Sequence, residues 1–175
     1  MIGHSMGGYI TLAFAEKYPE LLSAFGLFHS TAFPDSEEKK INRRKSIEFI
    51  KEHGAFEFLR TTSPNLFSAI STNRMKSEID EFINGLNKFS ADSLIAYYEA
   101  MMQRPDRVSV LEKTNLPVLF ITGQYDNPAP MNDVLKQCHL PERSFIYILT
   151  ESGHMGTMEE PAKSNKAFEE FLNNI

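Results

Sequence analysis

Short apolar runs alternate with helical patterns at both ends of the chain. The apolar runs lie at residues 1–2, 21–29, 117–122 and 144–149. Runs of this length, bounded by turn residues, are typical of strands buried on both faces of a parallel sheet. Apolar helical patterns follow them at residues 8–18, 132–138 and 161–172. Strands that alternate with helices in this way predict an α/β fold with a parallel sheet.

The middle of the chain has a different pattern, because its apolar residues recur at helical rather than strand spacing. Asp35 and Glu38 have the spacing of a capping box, which predicts that a helix begins there. Further helices are predicted at residues 76–84 and 90–102. We therefore predict a core formed by residues 1–33 and 108–175, interrupted by a helical cap at residues 34–107.

Composition and charge exclude several classes of function. The 175 residues are 42% hydrophobic and carry a formal net charge of −5, which disfavours nucleic acid as a partner. A single cysteine, Cys138, cannot form an internal disulfide and fits a reducing compartment. No apolar run approaches the ~20 residues of a membrane span. With no signal peptide at the start, a cytoplasmic location is expected.

The sequence Gly-His-Ser-Met-Gly-Gly at residues 3–8 is the first candidate for chemistry. It matches G-x-S-x-G, with strand residues before it and an apolar helix after it. A sharp turn between strand and helix would expose the hydroxyl of Ser5, and glycines at positions 3 and 7 would let neighbouring backbone approach closely. The Met6 N–H, at the start of the helix, could stabilise a developing oxyanion. Alone, the motif is also compatible with a plain glycine-rich turn.

Two later loops supply the partners that a serine nucleophile needs. Asp126 follows the apolar run at residues 117–122, and His154 follows the run at residues 144–149. Consecutive parallel strands would bring both loops to the edge of the sheet where Ser5 lies. A histidine can take the serine proton, and a carboxylate can fix the tautomer of that histidine. The order Ser, Asp, His is that of α/β-hydrolases.

With these motifs, the chain resembles the serine α/β-hydrolase superfamily, in particular its capped, esterase- or lipase-like members. The resemblance covers nearly the whole length, including GHSMGG, RPDR at residues 104–107, LPVLFITGQYDNPAP and ESGH. It implies that Ser5, Asp126 and His154 are a catalytic triad and that Met6 contributes to the oxyanion hole. It also implies that the cap supplies much of the pocket for a small ester or acyl substrate, which is expected to be apolar. Seven apolar residues of the cap could line this pocket, although their helical spacing predicts that most form the core of the cap: Phe56, Phe67, Phe82, Phe89, Tyr97, Met101 and Met102.

The resemblance also implies what precedes the motif in other members. There GHSMGG ends the fifth strand, whereas here it begins at residue 3. We expect the N-terminal half of the sheet to be missing, which leaves an exposed sheet edge. Two explanations compete, a truncated chain and a chain that works by pairing this edge with another chain, and truncation is favoured. The loop that carries the second oxyanion donor would be absent as well.

Several alternatives stay open at this stage. His4 is expected to pack and hydrogen-bond locally, and His29, His53 and His139 to be surface or core residues. Asp35 ranks second as the triad acid, behind Asp126. No cofactor is expected and no metal site, since there is no H-E-x-x-H, no cysteine pair and no close His/carboxylate cluster. Two functions compete: hydrolysis of a carboxylic ester through an acyl-enzyme, and a non-catalytic ligand-binding or interaction module of the same fold.

Overall fold

A computed structural model describes all residues from 1 to 175 and contains one parallel sheet of four strands. The strands are β1 (Ile2–His4), β2 (Phe25–Phe28), β3 (Val118–Gly123) and β4 (Ser144–Leu149). They are hydrogen-bonded in the order β1-β2-β3-β4, and every neighbouring pair is parallel. The prediction of a parallel α/β sheet is therefore confirmed.

The chain also forms ten α-helices. They are α1 (Met6–Lys17), α2 (Glu37–His53), α3 (Ala55–Thr62), α4 (Ala69–Arg74), α5 (Lys76–Gly85), α6 (Ala91–Gln103), α7 (Val108–Lys113), α8 (Met131–Leu135), α9 (Gly156–Glu159) and α10 (Pro161–Leu172). Single 3₁₀ turns occupy Pro19–Leu21, Ser63–Leu66 and Leu86–Lys88. No helix combines the length and the apolar character that crossing a membrane requires.

The residues divide into two compact units. The first contains Met1–Phe33, Leu66–Ser71 and Asp106–Ile175, and the second contains Pro34–Asn65 and Thr72–Pro105. The predicted cap, residues 34–107, differs from the second unit at one main place, because Leu66–Ser71 belongs with the sheet. The Leu66 carbonyl accepts a hydrogen bond from the His154 N–H at 2.6 Å, and the Ser68 hydroxyl donates one to the Glu151 carbonyl at 2.5 Å.

Two apolar clusters hold the first unit together, one on each face of the sheet. One face buries Leu12 of α1, Leu111 of α7 and Phe120 of β3. The opposite face buries Ile121 of β3 and Phe171 of α10. The central strand β3 is buried at all six positions, which explains its continuous apolar run.

The second unit has its own core and a buried ion pair that the sequence did not reveal. Ser36, not Asp35, caps α2: its side chain accepts the Lys39 N–H at 3.2 Å. The predicted capping role of Asp35 is therefore wrong. Its carboxylate is fully buried and pairs with Arg43 at 2.5 Å and with Arg104 at 2.8 Å. A buried carboxylate needs charged partners, which a capping position at a helix end would not supply.

Candidate active site

Ser5 lies in a sharp turn between β1 and α1. Its φ is 53°, a left-handed backbone conformation that costs a non-glycine residue about 1–3 kcal/mol. Two hydrogen bonds hold this turn: the Ser5 N–H donates to the Phe28 carbonyl at 2.9 Å, and the Ser30 hydroxyl donates to the Ser5 carbonyl at 2.8 Å. Because these hydrogen bonds hold the strained backbone at both its N–H and its carbonyl, the turn presents the Ser5 side chain in one orientation.

The glycines around Ser5 are needed for close packing, but not at the positions that the motif indicated. A Cβ on Gly3 would overlap the backbone carbonyl of Gly7, and one on Gly8 would overlap the side chain of Ser30. A Cβ on Gly7 would meet no atom within 4 Å. The expectation that Gly3 and Gly7 allow close approach thus holds for Gly3, whereas Gly8 takes the role expected of Gly7.

A continuous line of hydrogen bonds joins Ser5, His154 and Asp126. The Ser5 Oγ is 2.8 Å from Nε2 of His154. Nδ1 of the same ring is 2.9 Å from Oδ1 and 3.0 Å from Oδ2 of Asp126. Asp126 and His154 are both buried, at 5% and 4% exposure. The structure therefore brings all three residues that the sequence singled out into direct contact.

The electrostatics of this line keep the carboxylate ionised. Burial alone would raise the pKa of Asp126, but hydrogen bonds from His154 and His29, with the positive charge that these rings can carry, hold it below its ordinary value. The Ala129 N–H donates a further hydrogen bond to Oδ1 at 2.8 Å. An ionised Asp126 fixes the proton of His154 on Nδ1, which leaves Nε2 free to accept from Ser5.

His4 and Met6 flank the hydroxyl. Nε2 of His4 lies 2.8 Å from the His154 carbonyl, so His4 donates to that backbone, in agreement with the expected local role. Its pKa is lowered to about 4, mainly by burial. Met6 is the first residue of α1, where backbone N–H groups have no acceptor within the helix. This N–H is therefore available to a negatively charged atom next to Ser5.

The family of the chain follows from a match that covers its whole length. The Ndr family model matches residues 1–175. The chain belongs to the Ndr family.

This Ndr-family chain also matches individual proteins with the α/β-hydrolase fold. It is 29% identical to a Bacillus subtilis (strain 168) protein provisionally named 2-succinyl-6-hydroxy-2,4-cyclohexadiene-1-carboxylate synthase, over 100% of this chain and 66% of that protein. The structure of a thermophilic esterase from Thermogutta terrifontis superposes with a TM-score of 0.91 at 28% identity, over 99% of this chain and 64% of the esterase. The chain thus spans somewhat less than two thirds of the length of these relatives.

A more distant structure supports the fold alone. The enol-lactonase from Burkholderia xenovorans LB400 has a TM-score of 0.87 at 19% identity, over 98% of this chain and 64% of the lactonase. The resemblance to the α/β-hydrolase superfamily that the motifs indicated is confirmed for this Ndr-family chain by these matches.

Sequence reasoning missed two side chains of the site. His29, at the end of β2, donates from Nδ1 to Oδ2 of Asp126 at 2.8 Å and is fully buried. Glu159, at the end of α9, accepts the N–H groups of Gly153 and Met155, on either side of His154, at 2.9 and 3.0 Å. His29 could have been found from its place directly after a buried strand, the criterion that selected Asp126 and His154. Glu159 gave no such signal, since its partners are backbone N–H groups, which any residue type supplies.

The statement that no close His/carboxylate cluster exists is wrong for the folded chain. One ligand-type atom each from His29, Asp126 and His154 lie within 4.8 Å of one another. The hydrogen bonds described above account for this cluster. The Gly156 N–H donates to Nε2 of His29 at 3.2 Å, so the proton of that ring is on Nδ1 and points at Asp126. A cation at this place would have to displace that proton and the one on His154.

One groove of the second unit is lined by none of Ser5, Asp126 and His154. It encloses about 740 Å³ and is lined mainly by charged residues of α2, including Arg44, Lys45 and Glu48, with Met102 among the few apolar ones. Of the seven apolar residues proposed from sequence to line a substrate pocket, only Met102 borders this groove. Phe67 is buried, and Phe89 and Tyr97 are exposed.

Proposed function

We propose that the chain is the catalytic part of a serine hydrolase that cleaves a carboxylic ester through an acyl-enzyme. The observation that carries the proposal is the 2.8 Å hydrogen bond between the Ser5 Oγ and Nε2 of a histidine whose Nδ1 is bound to a buried carboxylate. A serine hydroxyl is a weak nucleophile until a base removes its proton, and this arrangement supplies the base in the required tautomer.

In the proposed first half-reaction, the Ser5 Oγ attacks the ester carbonyl carbon while His154 takes the hydroxyl proton on Nε2. The carbonyl oxygen becomes an oxyanion, and the Met6 N–H donates to it with the support of the α1 N-terminus. Collapse of this intermediate breaks the bond to the alcohol oxygen, which receives the proton from His154. Asp126 stays ionised throughout and stabilises the imidazolium that forms in between.

The second half-reaction repeats these steps with water. His154 takes a proton from the water as its oxygen attacks the acyl carbon, and then returns a proton to the Ser5 Oγ as the acid leaves. The same groups would serve a thioester, an amide, a lactone or a vinylogous diketone. Similarity to the T. terrifontis esterase, at 28% identity, supports the ester among these.

Covalent labelling by a fluorophosphonate probe tests the proposal. We expect labelling of wild-type protein that is lost in Ser5→Ala and lost in His154→Ala. Ser77→Ala is the matched control, because Ser77 is an exposed serine on α5 and should not affect the reaction. A folded wild-type chain that the probe does not label would contradict the proposal and favour a non-catalytic ligand-binding module.

Chromogenic esters then address the substrate class. A p-nitrophenyl series of increasing acyl length should show which chain length gives the highest kcat/KM. The apolar substrate expected from the resemblance predicts a rise with acyl length before a steric limit. Hydrolysis that is retained in Ser5→Ala would show that the activity comes from another group or a contaminant.

A further inference from the structure

The Asp126 carboxylate binds two imidazoles rather than one. Its Oδ2 accepts from Nδ1 of His29 at 2.8 Å, while both oxygens contact Nδ1 of His154 at 2.9 and 3.0 Å. His29 lies on the far side of the carboxylate from Ser5 in the hydrogen-bonded line. A proton transfer between Ser5 and His154 does not use this second ring, so its place requires a separate explanation.

We propose that His29 is a positioning residue that holds the carboxylate of Asp126 in the orientation that His154 needs. This inference rests on the proposed function, since it assigns a role within the same site. The ring of His29 is hydrogen-bonded to Asp126 and to the Gly156 N–H, and not to Ser5.

Backbone strain is the first independent argument. Ser5 and His29 are the two non-glycine residues with positive φ, at 53° and 51°. Both follow directly on neighbouring parallel strands, and each is fixed by a backbone hydrogen bond to the next strand, from the Ser5 N–H to Phe28 and from the His29 N–H to Ile121 at 2.8 Å. Strain of about 1–3 kcal/mol persists where the surrounding structure determines it and is concentrated at functional sites. His29 shares this feature with the proposed nucleophile.

The environment of His29 fixes its tautomer, which is the second argument. Its Nε2 accepts the Gly156 N–H at 3.2 Å, so Nδ1 must carry the proton that Asp126 accepts. A Cβ on residue 156 would lie 2.6 Å from this Nε2, so only glycine leaves room for the ring. Burial lowers the pKa of His29, which keeps the ring neutral despite the neighbouring carboxylate. A neutral donor orients Asp126 without cancelling its charge.

Two amide substitutions separate the donor of His29 from its acceptor. In His29→Asn, the side-chain N–H₂ takes the place of Nδ1 and can still donate to Asp126, and asparagine tolerates a positive φ. In His29→Gln, the amide reaches the place of Nε2 and can still accept from Gly156, but residue 29 no longer donates to Asp126. The Asn variant is therefore the matched control for the Gln variant.

The pH dependence of the labelling rate is the readout that a purely structural role would not move. The titratable groups that face the His154 ring are His4 from β1, His29 from the end of β2 and Asp126 from the loop after β3, with Glu159 under its loop. Without the His29 donor, Asp126 loses one of the hydrogen bonds that stabilise its negative charge and retains a proton on His154 more strongly. A higher pH is then needed to free Nε2 for Ser5.

We expect His29→Gln to lower the fluorophosphonate labelling rate at neutral pH about 10- to 100-fold, as for the loss of one hydrogen bond to a buried charge. The acid limb of the pH profile of its labelling rate should shift to higher pH by on the order of one unit. His29→Asn should keep the wild-type midpoint and stay within about threefold of the wild-type rate, well under the effect of a lost hydrogen bond to a charge. Equal losses in both variants, with an unmoved acid limb, would overturn the proposal.

A spectroscopic measurement keeps this inference distinguishable from the proposed function. Solvent exchange of the His154 Nδ1 proton can be followed by NMR in Ser5→Ala, which has no nucleophile. We expect slow exchange in Ser5→Ala and in its His29→Asn derivative, and at least about tenfold faster exchange in its His29→Gln derivative, as the carboxylate loses a fixed partner. If wild type is not labelled but this pattern is found, the hydrolase proposal fails and the positioning role stands. Equal exchange in all three proteins would overturn the positioning role.

Discussion

The loop that presents His154 is hydrogen-bonded to the buried carboxylate of Glu159, and removal of this carboxylate should measurably loosen the site. Glu159 is 3% exposed and accepts three backbone N–H groups: Gly153 at 2.9 Å and Met155 at 3.0 Å on Oε1, and Ser68 at 2.8 Å on Oε2. These three donors come from both sides of His154 and from the segment before α4.

Glu159→Gln changes the charge and one acceptor while preserving the shape of the side chain. Its amide oxygen can replace Oε1, but the N–H₂ group then faces the Ser68 N–H, so two donors oppose each other. The loss of one charge-assisted hydrogen bond is worth about 1.5–3 kcal/mol. In the opposite rotamer, two N–H groups lose their acceptor, so this range is the lower limit of the expected cost.

Urea unfolding followed by circular dichroism measures this cost, and fluorophosphonate labelling reports the effect on the site. We expect Glu159→Gln to lower the free energy of unfolding by about 2–3 kcal/mol and to slow labelling under conditions where the protein is still folded. Glu169→Gln, on the exposed side of α10, is the matched control and should change stability by less than about 0.5 kcal/mol. An unfolding free energy within that margin of wild type in Glu159→Gln would refute the reasoning.

Three further predictions concern the glycine turn, the buried ion pair and pH. Gly3→Ala should prevent stable folding, because its Cβ would overlap the backbone of Gly7. Gly7→Ala should change thermal stability by less than about 1 kcal/mol, in the stabilising direction. Similar melting temperatures in the two variants would contradict this. Asp35→Ala should cost about 3–5 kcal/mol in urea unfolding yet leave labelling of the folded fraction intact, whereas Asp126→Asn should abolish labelling; loss of labelling in folded Asp35→Ala would reinstate Asp35 as the acid. The lowered pKa of His4, about 4, means that the unfolded chain binds its proton first, so stability should fall as pH decreases from about 6.5 toward 4, and His4→Gln should flatten this part of a melting-temperature profile.

The sheet and the three loop tips could be predicted because they leave local traces in the sequence. A strand buried on both faces must be apolar at every position, and β3 is such a strand. Loops at the carboxyl ends of parallel strands lie at one edge, which is why Asp126 and His154 could be paired from their positions alone. The apolar run at residues 21–29 was predicted too long, since Pro19–Leu21 forms a 3₁₀ turn and β2 comprises only Phe25–Phe28.

Contacts between distant segments could not be predicted in this way. Ser36 and Asp35 are adjacent, and either can cap a helix, so the choice depends on Arg104, which lies 69 positions from Asp35 and forms the buried pair with it. Leu66–Ser71 looked like part of the helical insertion because its apolar residues give no sign of the polar groups they meet. Their partners, the N–H of His154 and the carboxylate of Glu159, are about 90 residues away in sequence. Long-range hydrogen bonds of this kind have no periodicity to detect.

The hydrogen bonds at Asp126 explain why this carboxylate can be buried and still serve one histidine in one geometry. Oδ1 accepts from Ala129 and His154, and Oδ2 accepts from His29 and His154. With both oxygens bound, rotation of the carboxyl group would break at least two bonds, and no protonated form could keep all the donors. Asp126 is therefore restricted to an ionised state and a single orientation. The only proton in the line that can move without leaving a buried donor unpaired is the one shared by the Ser5 Oγ and Nε2 of His154, at 2.8 Å.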